Sequence, residues 1–357
     1  MNPAETPKPA EPTVLSHADF LAAVSHEADI DLGTLTGRQE PEPKPADDLL
    51  RVARAAIAEH GDDGHGVEAL AAELFLRDQY DLLYQDLHDA AVIGHLSSGE
   101  LGFRGVDGED YVLPSYEQVL ACMSEKAELL ETKAEQGFTK LLLVPIAKSR
   151  DELRGAYADA LLNLHEAGKV NGAPFSLDAT EQVWWWDDQY AEANDAMVYY
   201  PREFGPNHQG LTKAEVIADT ARNGIAGWDI LLIEYLADLP AAGAGEIIGG
   251  RLQLEAGQSP NYYLDAMQTD PTYMDEVGLT PEAWLTYAIT HLAETNQVVD
   301  DYQGSGKISY LTGAYFPGSD SVPSAYWDRG DRRARLSASD PGDAAPHCGV
   351  RSAVRVS

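Results

Sequence analysis

The last fifty residues, Ile308 to Ser357, contain no Lys, Glu, Gln or Met, whereas the preceding 307 hold 9 Lys, 27 Glu, 13 Gln and 5 Met. The same rate would place about nine such residues in the tail, so the gap belongs to that segment. Two accounts satisfy it. One is a packed β domain that avoids flexible polar side chains. The other is genetic: these four residues and Trp are the ones that a codon with two free bases followed by cytosine cannot encode. The tail's one Trp is Trp327, so codons randomised at their first two positions around a few constant residues would leave the same gap. Composition alone leaves both accounts open.

The tail alternates with the period of a strand. With Trp327 inward, Ala325 and Arg329 share its side while Ser324, Tyr326 and Asp328 face out. In the next run Ala334 and Leu336 point in, leaving Arg333, Arg335 and Ser337 outside. GVRSAVRVS places Val350, Val354 and Val356 on one face. Three short antiparallel strands are predicted, with SDPGDAAPHC as a loop.

A chain of 357 residues suits one large domain and a smaller one. The formal charge of −34 is uneven: from Lys307 onward seven basic residues face five Asp, leaving 18 basic and 54 acidic residues before it, or +2 against −36. So acidic a body repels phosphate backbones and anionic membranes, which argues against nucleic-acid partners and membrane insertion. Solubility is the preferred reading of the acidity, and adaptation to salt the second. Cys122 and Cys348 are far apart and form no CxxC pair, so neither a disulfide framework nor a cysteine zinc site is expected. MNPAETPKPAEP lacks a basic patch followed by an apolar run, and no stretch approaches the ~18 apolar residues of a membrane span. A cytoplasmic location is the default expectation.

Residues 1–45, rich in Pro, Glu, Ala and Asp, read as a disordered acidic tail containing one short helix. Residues 46–112 read as a helical region, with one helix starting at Asp47 and another from Val67 to Leu87. Residues 113–357 read as the main domain. In it, Ser115 and Gln118 make a capping box before a helix that Gly137 ends, and FTKLLLVPIA is a buried strand. Ser149 and Glu152 start a helix stopped by Gly168. VWWWDDQY, MVYYPREF and DILLIEYL read as short strands among long loops. Thr280, Pro281 and Glu282 start a helix with Trp284, Tyr287, Ala288, His291 and Leu292 on one face. The class is α+β, with two helices flanking short antiparallel strands.

Several segments resemble the variable proteins of diversity-generating retroelements, in the C-type lectin fold subclass related to formylglycine-generating enzymes. They are KAEQGFTKLLLVPIA, IGGRLQLEAG, GLTPEAWLTYAITHLAETNQVVDDYQG, YLTGAYFPGS, VPSAYWDRGDRRARLSASDPG and GVRSAVRV, spanning roughly residues 115–357. The resemblance implies a retroelement that mutates adenines in the codons of a segment at about 318–348, on a constant scaffold. Trp327, Arg329, Leu336, Pro341, Gly349, Arg351, Val354 and Arg355 match the scaffold pattern. Ser324, Tyr326, Asp328, Gly330, Asp331, Arg333, Arg335, Ser337, Ser339, Asp343, Ala344, Ala345, His347 and Cys348 fall where diversity, and so ligand contact, is expected. Tyr326, Arg333 and Arg335 would form a hot spot, since Tyr and Arg are enriched at interface centres. The implied protein is a non-enzymatic binder of a protein surface and needs no cofactor; the resemblance does not cover residues 1 to about 110, whose helices are read separately as an attachment to another protein. The alternative is an enzyme of the formylglycine-generating or sulfatase-modifying type with a non-standard active site.

Other signals carry less. His60, Asp62, Asp63 and His65 read as a polar loop rather than a metal site. His291 reads as a core histidine, and Trp184, Trp185 and Trp186 as core rather than a sugar platform. The motifs HExxH, GxSxG and Walker A do not occur, nor do the calcium-ligating motifs of sugar-binding lectins.

Overall fold

The computed structural model describes residues 65–167, 176–178, 180–190 and 197–356. The N-terminal tail, the helix expected at Asp47, the polar loop at His60 and the stop at Gly168 lie outside them. The chain divides into two compact units, residues 1–67 and 68–357, and the account below concerns the second.

Its architecture is mixed α+β. Helix α1 (His65–Asp89) buries Leu83 and Leu87 and is followed by three short strands, β1 (Gly94–His95), β2 (Leu101–Arg104) and β3 (Asp110–Val112), forming an antiparallel sheet centred on β2. This corrects the purely helical expectation for residues 46–112. Phe103 and Tyr111 of that sheet join the same core as the strands of the main domain, and Phe103 stands edge to face on Trp228, 5.1 Å between centroids.

The capping box is formed as the sequence predicts: Ser115 Oγ accepts from Gln118 N, and the Gln118 side chain accepts from Ser115 N, starting α2 (Tyr116–Ser124). The expected single helix is broken, and α3 (Ala127–Glu135) resumes it. Gly137, at φ +96°, turns the chain into β4 (Phe138–Val144), a conformation that a side chain would strain. Next come α4 (Arg150–Ala167), β5 (Val183–Trp185), α5 (Asp187–Tyr190), β6 (Val198–Tyr199), α6 (Lys213–Arg222), β7 (Asp229–Glu234), β8 (Ile247–Ile248), β9 (Arg251–Leu252), α7 (Pro260–Thr269) and β10 (Glu276–Gly278). Helices α6 and α7 replace what the sequence suggested were loops.

Helix α8 (Pro281–Thr295) starts at Thr280, whose hydroxyl accepts from Ala283 N, and ends on Asn296 in the left-handed conformation. It was expected to flank the domain. Instead Pro281 through Leu292 are all buried, so the helix is central and apolar on nearly every side. Several of its polar groups are satisfied within the core: Thr286 Oγ1 donates to Glu282 O at 2.7 Å, and Glu282 Oε1 accepts from Tyr199 OH at 2.7 Å and Lys213 Nζ at 3.4 Å.

The C-terminal third supplies β11 (Asp301–Tyr302), β12 (Ile308–Tyr310), β13 (Ala314–Tyr315), β14 (Val322–Asp328), β15 (Arg333–Ser339), β16 (Cys348–Val350) and β17 (Ser352–Arg355). An antiparallel sheet runs β10-β17-β7-β4. A larger mixed sheet runs β16-β12-β14-β15-β5, with β11 also on β14. The last segment is therefore not one strand. It breaks at Arg351, with β16 in the mixed sheet and β17 in the antiparallel one. Arg351 holds the junction, donating to Asp300 Oδ1 and to the carbonyls of Leu236 and Ala237, each at 2.7 Å. Buried ion pairs brace the antiparallel sheet: Arg251 bonds both Glu276 oxygens at 2.7 and 2.8 Å, and Arg355 Nε bonds Asp229 at 2.9 Å.

Candidate functional site

Strands β14 and β15 pair antiparallel with Ala325 opposite Leu336 and Trp327 opposite Ala334. All four side chains are buried, Trp327 at 4% exposure and the others at 0%. They form the floor that the alternation predicts. On the other face the pairs are Ser324 with Ser337, Tyr326 with Arg335 and Asp328 with Arg333. Tyr326, Arg333, Arg335, Ser337 and Ser339 are half-exposed there, as are Asp331, Ala345 and His347, while Gly330, Asp343 and Ala344 are exposed.

Three residues expected to face solvent are buried. Ser324, at 2% exposure, lies opposite Tyr310, which packs in a second core with Leu254, Tyr263, Met267, Cys348 and Val350. That core covers the face at this end, and it also buries Cys348, at 5%. Asp328, at 9%, folds over its own turn, its Oδ1 accepting from Gly330 N at 2.9 Å and Asp331 N at 3.0 Å. In the opposite sense, Arg329 was placed inward but is exposed, where its Nε donates to Asp301 Oδ1 at 2.7 Å. Among the residues matching a scaffold, Trp327, Leu336, Pro341, Gly349, Arg351 and Val354 are buried and Arg355 is half-buried.

The charges of this face are largely neutralised within it. Arg333 pairs with Glu181 and, at 3.4 Å, with Asp331. Arg335 pairs with Asp331 at 2.9 Å and Asp328 at 3.6 Å. The Nε donors of both arginines are shielded from solvent and have no partner among the described residues. Burial raises the Tyr326 phenol above its ordinary range, against the lowering effect of Arg335, so it stays a neutral donor.

Two aromatic residues that the sequence did not single out for binding complete the face. Strand β5 runs parallel beside β15, with Trp184 opposite Arg335, and the guanidinium carbon lies 4.6 Å from the Trp184 ring centroid. From the other side Tyr302, on β11, meets Tyr326 edge to face at 5.6 Å and His347 at 5.3 Å. The three tryptophans thus divide. Trp185 is core, stacked on Tyr190 at 5.7 Å, while Trp184 and Trp186 are half-exposed. Strand alternation in VWWW carried that signal; for Tyr302 no local signal exists.

Elsewhere, Cys122 and Cys348 are free, buried and in separate hydrophobic clusters. His291 is buried, yet neither ring nitrogen has a hydrogen-bond partner among the described residues, and burial lowers its pKa to about 4, with Arg351 and Lys140 adding to the shift. The described residues include no group of three His, Cys, Asp or Glu side chains placed to hold a metal ion and no helix long and apolar enough to cross a membrane. No protein-family model, curated protein or solved structure matches the chain.

Proposed function

We propose that this chain is a non-enzymatic binding protein of the cytoplasm whose C-terminal hairpin face is diversified by a retroelement and recognises a protein surface. The scaffold in this reading is of the C-type lectin kind, and residues 1–110 serve as the attachment to another protein. One observation carries the reading: the segment without Lys, Glu, Gln or Met is the one that supplies the half-exposed face of β14 and β15. Its alternate residues fill the floor beneath, so outward side chains can be exchanged at a cost near ±0.5 kcal/mol, typical of surface sites, while the backbone holds. Burial of Ser324, Asp328 and Cys348 narrows the surface to Tyr326, Gly330, Asp331, Arg333, Arg335, Ser337, Ser339, Asp343, Ala344, Ala345 and His347.

The test is genetic. The neighbouring DNA should encode a reverse transcriptase and hold a near-copy of the tail's coding sequence that differs from it where the copy has adenine. Sequencing the gene across a population should find substitutions concentrated at the outward positions. A tail that varies no more than β4 or β7, with no second copy nearby, refutes the proposal.

A further inference from the structure

The outward residues of the hairpin join a continuous ribbon. Its order is His347, Tyr302, Tyr326, Arg335, Trp184: ring on ring at 5.3 and 5.6 Å, then a directly opposed cross-strand pair, then a guanidinium 4.6 Å from the indole centroid. It crosses β11, β14, β15 and β5, three strand spacings or about 14 Å. Every member is half-exposed. Trp, Tyr and Arg are the residues that dominate interface hot spots, and a ribbon of this length fits the centre of a standard interface burying ~800 Å² per partner.

Origin in the chain divides these five residues. Tyr326, Arg335 and His347 lie inside the segment lacking Lys, Glu, Gln and Met, whereas Trp184 and Tyr302 lie outside it. Any change of tail sequence leaves those two rings in place, one at each side of the hairpin. We propose that Trp184 and Tyr302 are constant anchors of the binding surface, and that its partner is a folded protein presenting an apolar patch with a hydrogen-bond acceptor near its centre.

The partner class follows from the same geometry. A sugar or a base stacks on an open aromatic face, but Trp184 is already covered by Arg335, and the Tyr302 and Tyr326 rings stand 81° apart. A polyanion needs unspent positive charge, but Arg333 and Arg335 are paired with Glu181, Asp331 and Asp328 on a chain of net charge −34. What remains is aromatic area around the half-exposed guanidinium of Arg335, whose charge is already paired, which suits a protein surface with a carbonyl at its middle.

This inference rests on the diversified-surface reading, and the experiment separates the two. Two display libraries of the full chain carry the same randomised codons at 326, 331, 333, 335, 337, 339 and 347. One keeps Trp184 and Tyr302; the other carries Trp184→Ser and Tyr302→Ser. Both are selected against purified lysozyme, streptavidin and serum albumin. The first library should yield binders, and putting either Ser substitution into each clone should weaken its Kd at least ten-fold with the melting temperature little changed. Tyr302→Ser alone removes only a half-exposed ring and keeps the test decisive if Trp184→Ser does not fold. Equally tight binders from both libraries overturn the anchor role and leave the diversified surface standing. No binder from either library overturns both.

Discussion

Strand β15 allows a sharp comparison between adjacent residues. Leu336 is 0% exposed and lies between Ala325 of β14 and Trp185 of β5. Leu336→Ala removes a fully buried side chain from a sheet interior where little can collapse into the space, which costs about 2–5 kcal/mol. On either side of it, Arg335 and Ser337 face out. Arg335→Ala gives up two partly exposed ion pairs and one contact with an indole, about 1 kcal/mol in all. Asp328 is not orphaned by that change, because Gly330 N and Asp331 N still donate to it. Ser337→Ala should stay within about 0.5 kcal/mol. For a unit of this size each kcal/mol moves the melting temperature by about 2–4 °C. Scanning calorimetry of the full chain should therefore show Leu336→Ala lowered by about 4–20 °C, Arg335→Ala by about 2–4 °C, and Ser337→Ala scarcely moved. If Arg335→Ala or Ser337→Ala falls as far as Leu336→Ala, the outward face is structural, and the separation of frame from display is wrong.

His291→Phe should change the acid limb of stability. The unfolded imidazole takes up its proton near pH 6.5 and the folded one only near 4, so the native state loses stability as pH falls through that window, by up to ~3 kcal/mol; melting curves at pH 7 and 4.5 that run parallel for both proteins would contradict this. Asp86 works in the other direction. Burial and the nearby Glu294 raise its pKa to about 7, so its contribution is complete below pH 3.8 and fades as pH rises through 7. Asp86→Asn should accordingly gain stability over the parent between pH 5 and pH 8, and an unchanged difference would count against it. Arg351→Met leaves Asp300 buried with Trp284 Nε1 as its remaining side-chain donor and should cost about 3–5 kcal/mol, part of which Asp300→Asn in the same chain should restore; urea titration of the three variants measures it. Gly313→Ala would put a Cβ 2.2 Å from the carbonyl oxygen of Gly278, so a variant melting like the parent would show that β10 and the 313 turn do not meet so closely.

Local chemistry was legible where it was strong. Ser115 with Gln118 and Thr280 with Pro281 declared their helices, and the apolar runs of β4 and β7 declared their strands. The same grammar was present in Thr212 with Glu215, which cap each other at α6, and in Ser259 with Pro260 at α7, but both helices are only ten residues long and sit among aromatic, turn-rich sequence. Pairing was not legible. Nothing near Val183 announces that it will lie beside Ala334, or that Ile308 will run parallel to Cys348. Alternation along β14 named the floor correctly but misjudged Ser324 and Asp328, because a strand's period says which side a residue is on and not what covers that side. The covering core came from Leu254, Tyr263 and Met267, and the cover over Asp328 from its own turn. The buried pairs of Arg251 with Glu276 and Arg351 with Asp300 join residues 25 and 51 positions apart, beyond any motif.

Strand β15 is flanked on both sides, by β14 and by β5. If the tail is diversified as proposed, each new set of side chains arrives on a strand bordered along its length by β14 and at Ala334, Arg335 and Leu336 by β5, so that β15 is not itself the free edge of the sheet. Strand β5, drawn from outside the segment that lacks Lys, Glu, Gln and Met, acts as a selvedge. On that proposal many tail sequences could be tried with their exposed residues held away from a free edge, where sticky ones would seed clumping.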